Sequence, residues 1–510
     1  MVDFLKKHRI EILITFVLAI LFFVLRLPNL VSQPIFADEA IYVRWAQVMK
    51  AEPTLRFLPL SDGKTPLFMW ILIPFFKVFQ DPLYAGRFLS ILAGFGSFLG
   101  ILFLGWKFFN PKVALWSVFL LTVTPFFVFF DRMALVDSML AMFSVWSLFL
   151  AMLLIKYQRL DIAMFLGFGL GGGILTKTPG MFNLLVLPVS LISFDWRNKN
   201  RQARLFKTFG LLLLALGIGF IMYNLLRLGP GFTSLSSRNQ DYIFAPNELI
   251  GRPLDPFIPH FNDISDWLPK LLTIPVLILI ILGAGLSFIK RNKYALTILF
   301  WSLIPLLIQM TLLKTFTARY ILSSMIPLVL LAGWAVFWLL EKIKFSKLIL
   351  QSLAVLIILG FTLYTDFLLV YQIENAPLPR SERSGYLEMW TAGYGFPEIA
   401  KFLINEAQKK TIVVGTEGSF GTLPDGLMIY LDKYIHTSSP DQQILLSPGN
   451  ATISAGLRNA ALTYPTYYIA NKSRFEGDRD LLLIKEYPKA KGPQKPQDAI
   501  VFYQVFPLRP

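Results

Sequence analysis

Apolar runs of roughly 17 to 25 residues recur along this chain, and they constrain its fold more than anything else in it. They occupy residues 10–25, 84–108, 111–130, 134–155, 161–176, 178–194, 205–226, 268–288, 294–313, 321–340 and 348–370. Each is long enough, as a helix, to cross about 30 Å of hydrocarbon. The hydrophobic content of 55% lies above the 45–50% of soluble domains, and it is concentrated before residue 371. The expected fold class is therefore mainly α: a polytopic membrane bundle of about eleven helices. From residue 371 to 510 charges of both signs are frequent, and no run is long enough to span. There PEIAKFLINEA reads as an amphipathic helix, TIVVG as a strand, residues 427–431 as a second helix, and TYYIA, LLLIKEY and IVFYQVF as strands. The domain division expected is 1–370, transmembrane, and 371–510, a small α/β domain.

A twelfth apolar segment, residues 66–79, is only about 14 residues long and contains Pro74 and Lys77. The positive-inside rule decides it. If it does not cross, the basic clusters at Lys107/Lys112, Lys156/Arg159, 197–207, 290–293 and 342–347 fall on the side of the basic N-terminus. The expected topology is then an uncleaved N-terminal anchor, the N-terminus in the cytoplasm and the C-terminal domain outside the cell membrane. Two long outer loops result, 31–83 with interfacial helices and 229–267. The net charge of +16 follows this loop pattern and is not a nucleic-acid footprint. The absence of cysteine excludes disulfides and thiolate metal sites.

This topology gathers polar residues at the outer helix ends, where charges are costly unless they reach water or a partner. In the first loop, Asp38 and Glu39 open a helix whose Ile41, Trp45, Val48 and Met49 form a stripe suited to a membrane surface. Asp38 reads either as the helix N-cap or as a general base at the water boundary. In DGKTPLF, Asp62 precedes Lys64, a lysine that either snorkels or binds phosphate. Arg87 opens the next crossing. Arg132 and Asp137, in FFDRMALVDSML, read as a helix-end pair or as site residues. Lys177 lies at a hairpin tip after Gly171–Gly172–Gly173, which lets a helix or a lipid chain approach closely. Arg319 and Tyr320 end another outer loop. His260 reads as a loop histidine facing water or as a ligand for a divalent metal with Asp38 or Glu39. The Gly415–Gly421 run misses the dinucleotide spacing and reads as a turn, and sequons begin at Asn450 and Asn471.

Taken in order, FADEAIY, DGKTPLF, AGRFLS, DRMALVDS, LTKTPG and ARYILSSMIP resemble the protein mannosyltransferase and lipid A aminoarabinose transferase group, glycosyltransferase family 39 with the GT-C fold. The resemblance spans about the first 340 residues, and it rests on the ordered set. It implies a polyprenyl-phosphate-linked hexosyl or pentosyl donor, transfer on the outer face with inversion, and a lipid, glycan or protein acceptor. Asp38 matches the family's acidic catalytic position and Glu39 its neighbour. Lys64, Arg87 and Lys177 match its conserved-motif cations, and Arg132 and Asp137 its R…DS pair. Gly63 stands where the aminoarabinose enzymes carry a glutamate, and Ile41 replaces an arginine. Arg319 joins the cations expected at the donor phosphate, with Asp62 and Tyr320 in support. A secondary transporter, a lipid-linked-glycan flippase and a non-catalytic membrane scaffold are the rival functions. A transporter would want ionisable residues near helix midpoints, and an oligosaccharyltransferase would want a tryptophan-rich acceptor motif.

Overall fold

The structure, a computed structural model, describes residues 6–252, 254–342, 347–435, 443–493 and 496–507. Part of the basic cluster at 342–347 therefore lies outside the described residues. In chain order the principal helices are α1 Arg9–Arg26, α2 Ala37–Ala51, α3 Pro82–Phe108, α4 Pro111–Val123, α5 Pro125–Asp131, α6 Val136–Tyr157 and α7 Leu160–Thr176. They continue with α8 Arg201–Asn224, α9 Ser234–Tyr242, α10 Phe257–Leu271, α11 Ile274–Ile289, α12 Lys293–Leu312, α13 Leu322–Lys342 and α14 Lys347–Tyr371. The last three are α15 Phe396–Ala407, α16 Asp425–Ile435 and α17 Ala455–Ala460. The strands are β1 Ile35–Phe36, β2 Ala392–Gly393, β3 Ile412–Thr416, β4 Ile444–Leu446, β5 Thr466–Asn471, β6 Leu481–Pro488 and β7 Ala499–Val505.

The chain forms two compact units. The first comprises Met1–Pro28, Arg56–Trp70 and Phe88–Pro379; the second comprises Asn29–Leu55, Ile71–Arg87 and Arg380–Pro510. The first unit is the helical bundle. Among the described residues six helices are long and apolar enough to cross a membrane, and eight if each of two bent pairs counts as one span. All the runs expected to cross are helical, and those that miss this criterion do so for local reasons. The helix α1 carries Arg9, Glu11 and Arg26 in its 18 residues. α7 has 17 residues, and residues 178–193 form a short α turn between 3-10 turns. Pro125 lacks the N–H that would extend α4, so α4 stops at Val123 and α5 leaves at 61°. Residues 67–77 are helical too, but eleven residues rise only about 16 Å, too little to cross.

The glycine run before Lys177 serves helix packing. A Cβ on Gly167 would stand 2.6 Å from Ile218 Cβ on α8, and one on Gly172 would stand 2.4 Å from the Phe143 ring on α6. Of the two approaches open from sequence, helix against helix is the one taken. Buried charges also clamp the bundle. Arg26 Nε donates to Asp131 Oδ2 at 2.9 Å, and its other nitrogens donate to the Thr122 and Leu121 carbonyls freed at the α4–α5 break.

In the second unit the sheet order is β4-β3-β5-β7-β6, with β3 parallel to β4 and β5 and with β7 antiparallel to β5 and β6. All six strand and helix segments read from sequence after residue 371 are present; β2, β4 and α17 are additional. The same unit also holds the first outer loop. Phe36 pairs with Ala392 and Ile35 with Gly393, antiparallel. α2 packs on α16, where Arg44 meets Asp432 at 2.5 Å and Gln47 Nε2 donates to the Ile429 carbonyl at 2.8 Å. The expected membrane-surface stripe is corrected accordingly: Ile41, Trp45 and Met49 are buried, because the helix is covered by protein.

Candidate active site

The second unit supplies the start of α2. Its N-cap position is Phe36, whose backbone N–H donates to Glu39 Oε2 at 2.9 Å. The cap reading therefore leaves Asp38, which lies inside the first turn and is half-buried. Glu39 beside it is fully buried and receives Arg87 Nε and Nη2, both at 2.8 Å. Arg87 also donates to the carbonyls of Leu30, Gln33 and Pro34. The guanidinium has five N–H donors, and these contacts occupy them. Arg87 thus tethers the segment that leads into Asp38, and the phosphate contact expected of it has no donor left to use.

In the first unit, the 3-10 turn Leu58–Asp62 ends at Gly63 with φ +65°. A Cβ there would stand 2.3 Å from Arg238 Cβ and 2.8 Å from the Ser234 carbonyl, both on α9. Glycine at this position is explained by that close approach. Lys64 follows, partly exposed, with its ammonium 3.4 Å from Asp62. Lys177 occupies the extended residue between α7 and the turn at 178–180. Its Nζ donates to Asp137 Oδ1 at 2.6 Å and lies 4.3 Å from the Tyr320 ring centre; the Arg319 guanidinium is 5.5 Å from the same ring. Four expected residues from three separate segments therefore form one cluster. Lys177 meets the buried Asp137 carboxylate directly, and Arg319 lies beside the same tyrosine.

The residues that follow the two lysines, Thr65 and Thr178, line one cavity of about 310 Å³. Tyr223, Thr233, Ser236 and Asn239 add polar groups to its wall, and Ile174, Met181, Phe232 and Leu235 close it. The buried Thr65 hydroxyl has no hydrogen-bond partner among the described residues. A largely apolar wall with a few hydroxyls and an amide suits a ligand that is part apolar and part polyol.

Other expected residues are elsewhere. Arg132 does not pair with Asp137; its Nη1 donates to the carbonyls of Arg26 and Pro28, closing the end of α1. His260 is buried, with Nδ1 2.9 Å from the Met310 carbonyl and its ring against Phe316. Among the described residues no group of three or more His, Asp or Glu side chains is gathered, so the residues do not fit the metal expected there. Asn471 is fully buried and bonded to Glu417, so its sequon is inaccessible in the fold. The sequence reading missed Asp131 and Asp366. Asp366 is 1% exposed, and neither carboxylate oxygen has a hydrogen-bond partner among the described residues. An acid inside an apolar run was the available signal.

The sequence model of the family described as dolichyl-phosphate-mannose-protein mannosyltransferase matches residues 63–223, which include Lys64, Arg87, Arg132, Asp137 and Lys177. Among solved structures the chain is similar to ArnT from Cupriavidus metallidurans. In the apo state that match has a TM-score of 0.57 and 15% identity over 96% of this chain and 97% of that one. For ArnT bound to undecaprenyl phosphate the values are 0.56 and 14%, over the same shares. It is also similar to the archaeal oligosaccharyltransferase AglB from Archaeoglobus fulgidus, in complex with an inhibitory peptide and a dolichol-phosphate: TM-score 0.52, 14% identity, 92% of this chain and 70% of that one. No curated protein matches the chain. The fold is the GT-C fold of membrane glycosyltransferases.

Proposed function

We propose that this protein is a membrane glycosyltransferase that moves a sugar from a polyprenyl-phosphate donor to an acceptor hydroxyl on the extracytoplasmic face. The observation that carries the reading is the cluster that Lys177 forms with Asp137 and Tyr320, brought together from separate segments; Lys64 and Lys177, 113 residues apart in sequence, each immediately precede a threonine that lines one cavity. A lipid-phosphate leaving group needs cations where its charge grows, and a sugar needs hydroxyl partners. The match to the mannosyltransferase family over residues 63–223 supports the same chemistry, as does the fold shared with proteins crystallised with undecaprenyl phosphate and dolichol-phosphate.

In this mechanism Lys64 and the Lys177–Asp137–Arg319–Tyr320 cluster receive the phosphate. Asp137 holds the Lys177 ammonium until the phosphate competes for it. Asp38, half-buried in the first turn of α2, takes the proton of the acceptor hydroxyl as that oxygen attacks the anomeric carbon. The C–O bond to phosphate breaks with inversion, and the lipid phosphate leaves. Glu39 and Arg87 hold the turn that carries Asp38. A transporter or flippase would move the same lipid-linked sugar without cleaving it.

Purified protein in lipid discs, supplied with polyprenyl-phosphate sugars, tests the reading. Asp38→Asn is expected to keep donor binding and to lose transfer by about 10²–10⁴-fold. Lys177→Met is expected to lower transfer by about 10²–10³-fold. Unimpaired transfer by Asp38→Asn removes that residue from the mechanism, and movement of intact donor across the bilayer favours the flippase.

A further inference from the structure

The C-terminal sheet has a feature that transfer chemistry does not use. From β3 the chain crosses to β4 on one side, then returns past β3 to β5 on the other, and all three strands run parallel. The C-terminal ends of β3 and β5 therefore flank a point where the strand order reverses. In open α/β sheets such a point leaves a crevice between the diverging loops, and ligands bind there.

The side chains at this point are specialised. Glu417, just beyond β3, is bonded to the backbone N–H of Asn471 at 2.5 Å and to its Nδ2 at 2.6 Å, joining the two strand ends. Lys489, fully buried, donates to Asp498 at 2.8 Å and to Asn471 Oδ1. Such a buried ionic network is a poor source of stability compared with an apolar core. What it does is fix the rim above it. Arg474, beyond β5, has its guanidinium 4.6 Å from the Trp390 ring centre and 3.7 Å from Glu417, and its side chain is 45% exposed. Trp390 and Phe420 are 38% and 47% exposed, large aromatic surfaces in a loop region. Trp45 of α2 supports Phe420, with ring centres 6.0 Å apart.

Charge selects among ligands. The loop after β3 carries two carboxylates, Glu417 and Asp425, the second bound to the Gly421 N–H at 2.7 Å. Both acids are covered and internally bonded, but a phosphate at this loop would lie in the field of both, with one exposed guanidinium opposite. A neutral polyol meets no such penalty: its C–H faces stack on aromatic rings, while its hydroxyls pair with the guanidinium. We propose that the reversal point between β3 and β5 is a binding site for a neutral glycan, with Trp390 and Phe420 as its platform and Arg474, held in place by Glu417, as its polar contact. This site is separate from the cavity at Thr65 and Thr178 and does not depend on the transferase reading.

The test is equilibrium binding to the full-length protein in lipid discs, which reads no turnover. The probes are labelled mannohexaose, cellohexaose and chitohexaose, with inorganic phosphate and a Ser/Thr-rich peptide as alternatives. At least one oligosaccharide is expected to bind saturably. Trp390→Ala and Arg474→Ala are each expected to weaken it by tenfold or more, while Trp390→Phe retains it and all three variants keep the wild-type melting temperature. The proposal is overturned if no oligosaccharide binds, if binding survives Trp390→Ala and Arg474→Ala, or if phosphate or the peptide is the ligand whose affinity depends on these residues.

Discussion

Arg87 is the residue whose role changes most once its neighbours are known. It is fully buried, bidentate on Glu39 and bonded to three carbonyls, so removing it strands a buried carboxylate and unties the segment from Leu30 to Glu39. Breaking a buried pair by deleting one partner costs about 3–5 kcal/mol. Arg87→Ala is therefore expected to lower the thermal midpoint sharply, and Arg87→Lys to recover little, since an ammonium cannot reproduce the two-pronged contact; calorimetry of the detergent-solubilised protein checks both. Asp425 carries a pH signature. Burial pushes its carboxyl up to about 6, above the ordinary 3.8. A group that binds its proton more tightly when folded favours the fold at low pH and loses that contribution as pH rises through the folded value. Between pH 4 and 7 this one group is expected to cost the second unit about 2 kcal/mol, a slope that Asp425→Asn removes and hydrogen exchange over α16 would read.

Among the elements, α7 and α8 are matched through glycine. Gly167 and Gly171 admit Ile218 and Met222, so Gly167→Leu is expected to force the helices apart and cost several kcal/mol, read as loss of the folded monodisperse peak after mild heating. Elements of this kind were legible in the sequence, because a long apolar run or an amphipathic period is a local property. The Asp137–Lys177–Tyr320 contact was partly legible: each residue ends an apolar run, and one topology brings those ends together. Three things were not. The α4–α5 bend follows from Pro125, but its consequence, carbonyls that receive Arg26, depends on a partner a hundred residues away. Arg132 pairs with the end of α1 although Asp137 is nearer in sequence. The burial of α2 by α16 was hidden because the apolar stripe of α2 suits a membrane surface equally well, and the partners of Arg44 and Gln47, Asp432 and the Ile429 carbonyl, are distant in sequence.

At the scale of the whole molecule, the grouping of Asn29–Leu55 with Arg380–Pro510 has a direct test. A chain ended after Pro379 retains the residues of the helical bundle and the Arg87 tether, but loses β2 and α16, against which β1 and α2 pack. It is expected to insert and remain protease-resistant in the bundle, while residues 29–55 become cleavable and transfer is abolished. Retained transfer would separate Asp38 from the scaffold proposed for it. The β1–β2 pairing also bears on the timing of manufacture. Phe36 leaves the ribosome 356 residues before its partner Ala392, so through most of translation the helix bearing Asp38 has its Arg87 tether but not the support of β2 and α16. Only a chain made as far as α16 can complete the seat of that helix. A product stopped earlier carries Asp38 on a helix held at its first turn alone.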